Sequence, residues 1–253
     1  MDGQVQQADA RGRAVVTASD IAARLDSRLY AAEFTGDELR QGCGTAVREG
    51  VGAVITLPER VEEAAPTLHG SAVGLATVLA WHTPDSDRLT LEGIRLQAMD
   101  LVAKGATEVA YLITRERLHY GDGREVADHI AHLVDTLTPL GARVRTILAT
   151  DDLTDEQIVR TCGDVAAAGA WMVHGGSWRG RRTGLTQLEL MRAELPRHVL
   201  LKWTHPVKHL ATLLLAMSLG VDRFNGDVDE LLRHAKRAEW LAPLSIPVAG
   251  MDY

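Results

Sequence analysis

Two cysteines, Cys43 and Cys162, are all that the 253 residues contain. That scarcity excludes a disulfide framework and a cysteine-built zinc site, and each thiol falls in a predicted amphipathic helix as a reduced packing residue. No apolar run reaches the roughly 18 residues needed to span a bilayer, and the polar start Met1-Asp2-Gly3-Gln4 does not read as a secretory signal. A cytoplasmic protein without a membrane partner is therefore expected. A surplus of positive charge is also missing: 27 basic residues face 34 acidic ones, which argues against nucleic acid and towards small-molecule chemistry. Aromatic residues are only 4% of the chain, so the tryptophans that occur at strand ends stand out. Low-complexity blocks, short repeats and long Pro/Gly/Ser linkers are absent, and nothing divides the chain. The expectation is one domain over residues 17–241, with mobile ends at 1–16 and 242–253.

What is present is alternation. Apolar β-favouring runs at 51–57, 74–80, 108–114, 143–150, 171–174, 199–203 and 222–225, with a weaker one at 26–30, are separated by stretches with helical periodicity. Those helical stretches fall near 35–50, 89–104, 123–140, 154–168, 186–194, 207–220 and 227–240. Eight strands alternating with helices predict a parallel sheet, and at this count a (β/α)8 TIM barrel; a doubly wound open sheet is the alternative. In a barrel, chemistry collects at the C-terminal ends of the strands. That rule selects His82, Arg115, Arg117, Asp151, Asp152, His174, Lys202, His205 and the segment Asn225-Gly226-Asp227. The acids of Asp151-Asp152-Leu153-Thr154-Asp155-Glu156 read mainly as capping and dipole compensation at a helix start.

The run Val199-Leu200-Leu201-Lys202-Trp203-Thr204-His205-Pro206 puts one cation inside a buried strand that a proline closes. Burying an ammonium is costly, so Lys202 either pairs with an acid such as Asp227, reaches the rim, or loses its proton and becomes a nucleophile for carbonyl compounds. His174 and His205 are the accompanying acid/base candidates. His82, His174 and His205 lie on separate strands without an HxH or HExxH pairing, so no metal is assigned. By strand alternation Trp171 and Trp203 point to the helix layer, which leaves Trp81 and Trp178 as loop candidates for the pocket wall. Gly175-Gly176-Ser177-Trp178-Arg179-Gly180-Arg181-Arg182 reads either as an anion clamp or lid, or as a solvated loop.

The order of these segments resembles the deoxyribose-phosphate aldolase family, class I aldolases that use a lysine Schiff base. Val144-Arg145-Thr146-Ile147-Leu148-Ala149-Thr150-Asp151-Asp152-Leu153-Thr154-Asp155-Glu156 is similar to that family's strand, turn and helix, and Gly169-Ala170-Trp171-Met172-Val173-His174 is similar to its "GADFVK". Leu201-Lys202 resembles its second "VK", and Arg223-Phe224 the entry to its last strand. The resemblance implies a barrel, no cofactor and a small carbonyl substrate, and it leaves a homodimer open. It also implies that the family's Schiff-base lysine stands here as His174, its shuttle aspartate as Ala110, its phosphate-binding glycines as His205-Pro206, and its final serines as Gly226-Asp227. Lys202 matches the second lysine.

These departures predict lyase or aldol-type chemistry on a non-phosphorylated carbonyl compound, with Lys202 as the amine or as an electrostatic anchor and His174 as acid/base. His205 completes the catalytic candidates. His82, Trp81, Arg145, Ser177, Trp178, Arg179, Asn225, Asp227 and the C-terminal Tyr253 are the expected substrate-binding residues. Non-covalent isomerisation or cyclisation, or a barrel that only binds a metabolite or a partner, are the alternatives.

Overall fold

Helix starts in this chain are written into short polar motifs. Thr17, Thr35 and Thr154 each accept from the backbone N–H three residues on, while Asp20, Glu38 and Gln157 reach back to the threonine N–H. Each such box satisfies two amide donors that a helix start leaves open. At the other end, Gly50 takes a left-handed conformation (φ 68°) that releases the chain into the next strand. Between these signals, apolar residues at alternate positions form strands.

The computed structural model describes residues 14–31, 33–79, 90–113, 118, 124–151, 153–176 and 183–246. Among them the order of elements is β1 (Ala14–Val16), α1 (Ala18–Ala22), β2 (Leu25–Leu29), α2 (Gly36–Glu49), β3 (Ala53–Thr56), α3 (Val61–Leu68) and β4 (Gly74–Val78). The chain continues through α4 (Leu91–Ala103), β5 (Glu108–Ile113), α5 (Arg124–Leu137), β6 (Arg143–Ala149), α6 (Asp155–Ala167) and β7 (Met172–Gly176). It ends with α7 (Leu185–Glu194), β8 (Leu200–Val207), α8 (Leu210–Ser218), β9 (Arg223–Gly226), α9 (Val228–Leu241) and β10 (Leu244–Ile246).

Strands β2 to β9 pair in sequence order, all parallel, and β9 returns to β2 through Leu25↔Phe224 and Asp26↔Asn225. The sheet is closed, which removes the doubly wound alternative and gives the expected (β/α)8 barrel. Outward-facing residues such as Leu25, Val54, Leu75, Val109, Leu148, Val173, Leu201 and Phe224 pack under the helices and belong to one buried apolar cluster. Cys43 and Cys162 sit in this layer, and burial pushes their thiols up to about 11 and about 12. The main apolar core therefore lies between sheet and helices, and the interior of the barrel is free to hold polar groups.

Three features differ from expectation. Helix α3 lies between β3 and β4 in a stretch that shows no clear helical signal, carrying Pro66 inside it. Strand β8 runs through Pro206 instead of stopping there, because the pairing with β9 shifts register between Trp203 and Val207, where a missing N–H breaks no ladder bond. Finally, a two-stranded pairing lies outside residues 17–241: β1 and β10 pair antiparallel.

Candidate functional site

Inside the barrel, alternation brings five charges together. Asp26 on β2, Glu108 on β5, Arg145 on β6, Lys202 on β8 and Arg223 on β9 are all buried. Asp26 is their centre: Arg145 Nη1 donates to Oδ2 at 2.9 Å, Arg223 Nε donates to Oδ1 at 3.1 Å, and Lys202 Nζ and Arg223 Nη2 are bonded to the same carboxylate. Glu108 takes the other side of Arg145. Glycines make room for these long side chains: an added Cβ at Gly52 would overlap the Arg223 guanidinium, and one at Gly74 would overlap the Glu108 carboxylate.

Burial and the charge count together set the protonation states. Two carboxylates face three cations in a medium that solvates none of them well, so one positive charge is left over. Guanidinium holds its proton too tightly to discharge, which leaves the lysine. Burial lowers the Lys202 amine, Asp26 raises it, Arg145 and Arg223 lower it again, and the outcome is about 7 against an ordinary 10.5. Asp26 goes the other way: burial would raise its carboxyl, but Arg223, Lys202 and Arg145 hold it well below its usual range. Burial takes Arg145 down to about 10, which still leaves it charged at neutral pH.

Above this cluster, at the C-terminal ends of the strands, opens a cavity of about 90 Å³. Arg145, Lys202 and His174 line it, with Thr204 and Asn225 beside them and Ile55, Leu57, Ala76, Val78 and Ala110 opposite. His174 and Lys202 are register partners on β7 and β8 and face the same space. Burial, then the charges of Lys202 and Arg145, push the His174 imidazole well below its ordinary value, so it is neutral. Its Nε2, Thr204 Oγ1 and Asn225 Oδ1 are buried without a hydrogen-bond partner among the described residues. Buried polar atoms of that kind on a cavity wall are where a ligand is expected to bind.

Of the residues singled out from sequence, the fold brings Lys202, His174, Arg145 and Asn225 together. His205 does not join them: it lies on the Trp203 side of β8, with the two ring centroids 6.1 Å apart. Trp203 faces the helix layer as alternation requires, its Nε1 donating to the Thr183 carbonyl at 3.1 Å. Asp227 is no partner for Lys202 either; it caps α9, where Oδ1 accepts from the Glu230 N–H at 3.0 Å. Trp81, His82, Arg115, Arg117, Asp152, Ser177, Trp178, Arg179 and Tyr253 lie outside the described residues. Sequence reasoning missed Asp26, Glu108 and Arg223 as members of the site. The available signal was a charge of each sign inside strands that otherwise read as buried.

No family model matches the chain. Among curated proteins it is similar to the deoxyribose-phosphate aldolase of Sinorhizobium medicae, 29% identical over 239 residues covering 91% of this chain and 92% of that one. The deoxyribose-phosphate aldolase of Rhizobium meliloti is 30% identical over 213 residues, covering 81% and 82% respectively. Among solved structures, a putative deoxyribose-phosphate aldolase from Coccidioides immitis superposes with a TM-score of 0.78 at 20% identity, over 88% of each chain. The deoxyribose phosphate aldolase of Aeropyrum pernix, described as a unique tetramer, gives 0.76 at 19% identity, over 88% of this chain and 93% of that one.

Proposed function

The chain belongs to the deoxyribose-phosphate aldolase family, and we propose that it makes or breaks a carbon–carbon bond in a non-phosphorylated carbonyl compound held as an imine on Lys202. The observation that carries this reading is a fully buried lysine on the floor of a cavity, its amine lowered to about 7 by burial first and by the charges of Arg145 and Arg223, against the opposing pull of Asp26. Such an amine is nucleophilic at neutral pH without any external base.

In the cleavage direction the neutral Nζ adds to the substrate carbonyl carbon, and the carbinolamine loses water as its oxygen takes up a proton, giving an iminium ion. The iminium draws electrons from the adjacent bond. His174 Nε2, neutral and facing the same cavity, accepts the proton of the hydroxyl on the β-carbon. The Cα–Cβ bond then breaks, its electron pair forms an enamine, and an aldehyde leaves. The imidazolium returns its proton to Cα, and water hydrolyses the iminium to free the second carbonyl product and the amine. Asp26 and the two arginines do not touch the substrate in this scheme; they set the charge of Lys202.

In the family, the positions of His174 and Ala110 hold the Schiff-base lysine and the shuttle aspartate. Both positions line the cavity here, so moving the amine to Lys202 keeps it in the same space and gives the vacated lysine position to the acid/base. The phosphate-free substrate fits a helix α9 in which the cap Asp227 takes the Glu230 N–H and places a charge that disfavours an anion there. The test is reduction with borohydride in the presence of small aldehydes and ketones, followed by mapping of the mass increase. Modification of Lys202 is expected. Unmodified Lys202 under conditions that trap a working class I aldolase refutes the reading.

A further inference from the structure

Resting on that reading, we propose that the site selects an uncharged hydroxy ketone or hydroxy aldehyde whose hydroxyl donates to Asn225 Oδ1, and that Asn225 is the residue that enforces this choice. The cavity has two unlike walls. The wall from β3 to β5 is hydrocarbon, and the hydroxyls of Thr56 and Thr77 on it are turned away, donating to the carbonyl oxygens of Leu29 and Thr56. On the wall from β7 to β9, three buried polar atoms of His174, Thr204 and Asn225 have no partner among the described residues.

Asn225 is the most informative of the three. Its Nδ2 donates to the Thr204 carbonyl oxygen at 2.8 Å. A carbonyl only accepts, so the orientation of the amide is fixed and Oδ1 is the atom left over. That oxygen accepts hydrogen bonds and donates none. Carboxylate and phosphate oxygens at neutral pH likewise only accept, so an anionic group placed there would set lone pairs against lone pairs. A hydroxyl supplies the missing donor. Thr204 Oγ1, which donates or accepts as needed, adapts to the same hydroxyl.

Reach narrows the ligand further. The hydroxyl must sit on the molecule whose carbonyl meets Lys202, because Lys202 and Asn225 line the same cavity. Lys202 and Arg145 are the lining cations that would favour an anion; Lys202 is bonded to Asp26, and Arg145 keeps one buried Nε–H without a partner among the described residues. The two terminal nitrogens of Arg145 are already taken by Asp26 and Glu108, and an incoming carboxylate would have to compete with both.

Three small ketones separate these cases: hydroxyacetone, which carries the hydroxyl; butanone, which replaces it with a methyl group; and pyruvate, which replaces it with a carboxylate. Calorimetric titration of the full chain measures binding, and borohydride reduction of the same mixtures measures imine formation independently. Hydroxyacetone is expected to bind roughly tenfold or more tightly than butanone, because butanone leaves a buried acceptor unpaired, and more tightly than pyruvate. Asn225→Leu should bring hydroxyacetone and butanone to the same affinity. The comparison within unaltered protein does not depend on that variant folding. Equal binding of hydroxyacetone and butanone, tightest binding of pyruvate, or no binding of any of the three overturns the inference. The expected order without modification of Lys202 would sustain it while removing the imine reading; trapped imines without that order would do the reverse.

Discussion

Replacing Asp26 by asparagine probes the arrangement that the whole site depends on. The substitution keeps shape but removes the carboxylate that Lys202, Arg145 and Arg223 share. With Lys202 charged, the buried surplus then rises from one positive charge to two. Removing one partner from a buried ion pair costs about 3–5 kcal/mol, a large part of the roughly 5–15 kcal/mol that holds a domain folded. The loss should also depend on pH. Asp26 is the group that raises the Lys202 amine to about 7, so without it that value falls. Unfolded chains keep the lysine protonated up to its ordinary 10.5. The unaltered protein therefore gains stability as pH rises from about 7 towards 10.5, at up to about 1.4 kcal/mol per pH unit. In the variant this gain begins at lower pH. The gap between the two proteins should therefore narrow as pH rises towards 7 and stay constant above it. Denaturant titrations of both proteins between about pH 5 and 8 measure this gap. A loss under about 1 kcal/mol, or one independent of pH across that range, would refute the charge argument.

Ala110→Asp places a carboxylate on the cavity wall and balances the cluster, so it should raise the Lys202 amine towards its ordinary value. The pH at which half of Lys202 is trapped by reduction should move up, and an unmoved midpoint contradicts the prediction. His174→Gln should leave imine trapping intact while lowering carbon–carbon bond cleavage by about 10²–10⁴-fold; loss of trapping would show that the imidazole is needed earlier. Gly52→Ala should destabilise by about 1–3 kcal/mol, read by thermal unfolding, because its methyl group meets both the Arg223 guanidinium and the Ala23 carbonyl oxygen.

Most of the barrel was legible because its strands announce themselves as apolar runs between capped helices. Thr154 with Gln157, and Val144 to Ala149 before them, show why: the capping box and the buried run each have a local cause. Helix α3 was not legible, since it is only eight residues long and carries Pro66, and its stability comes from packing of Val61, Ala64 and Leu68 instead of from a strong local signal. In the site, Lys202 and His174 were found by their place at strand ends. Asp26, Glu108 and Arg223 were not, because the rule that points to the upper ends of strands passes over the layer beneath. Aspartate is also a poor strand former, which weakened the reading of β2 as a strand. His205 and Asp227 were misplaced for a geometric reason. Whether a residue past a strand's last inward position turns to the cavity or to the helices depends on bulges and caps that one chain's pattern does not fix.

The proposed chemistry depends on Lys202 losing its proton near neutral pH on the floor of the cavity. Measuring the fraction of Lys202 reduced by borohydride with hydroxyacetone as a function of pH tests it most directly. The account predicts a rise to half its maximum near pH 7, and a midpoint near 10, or modification confined to other lysines, would contradict it.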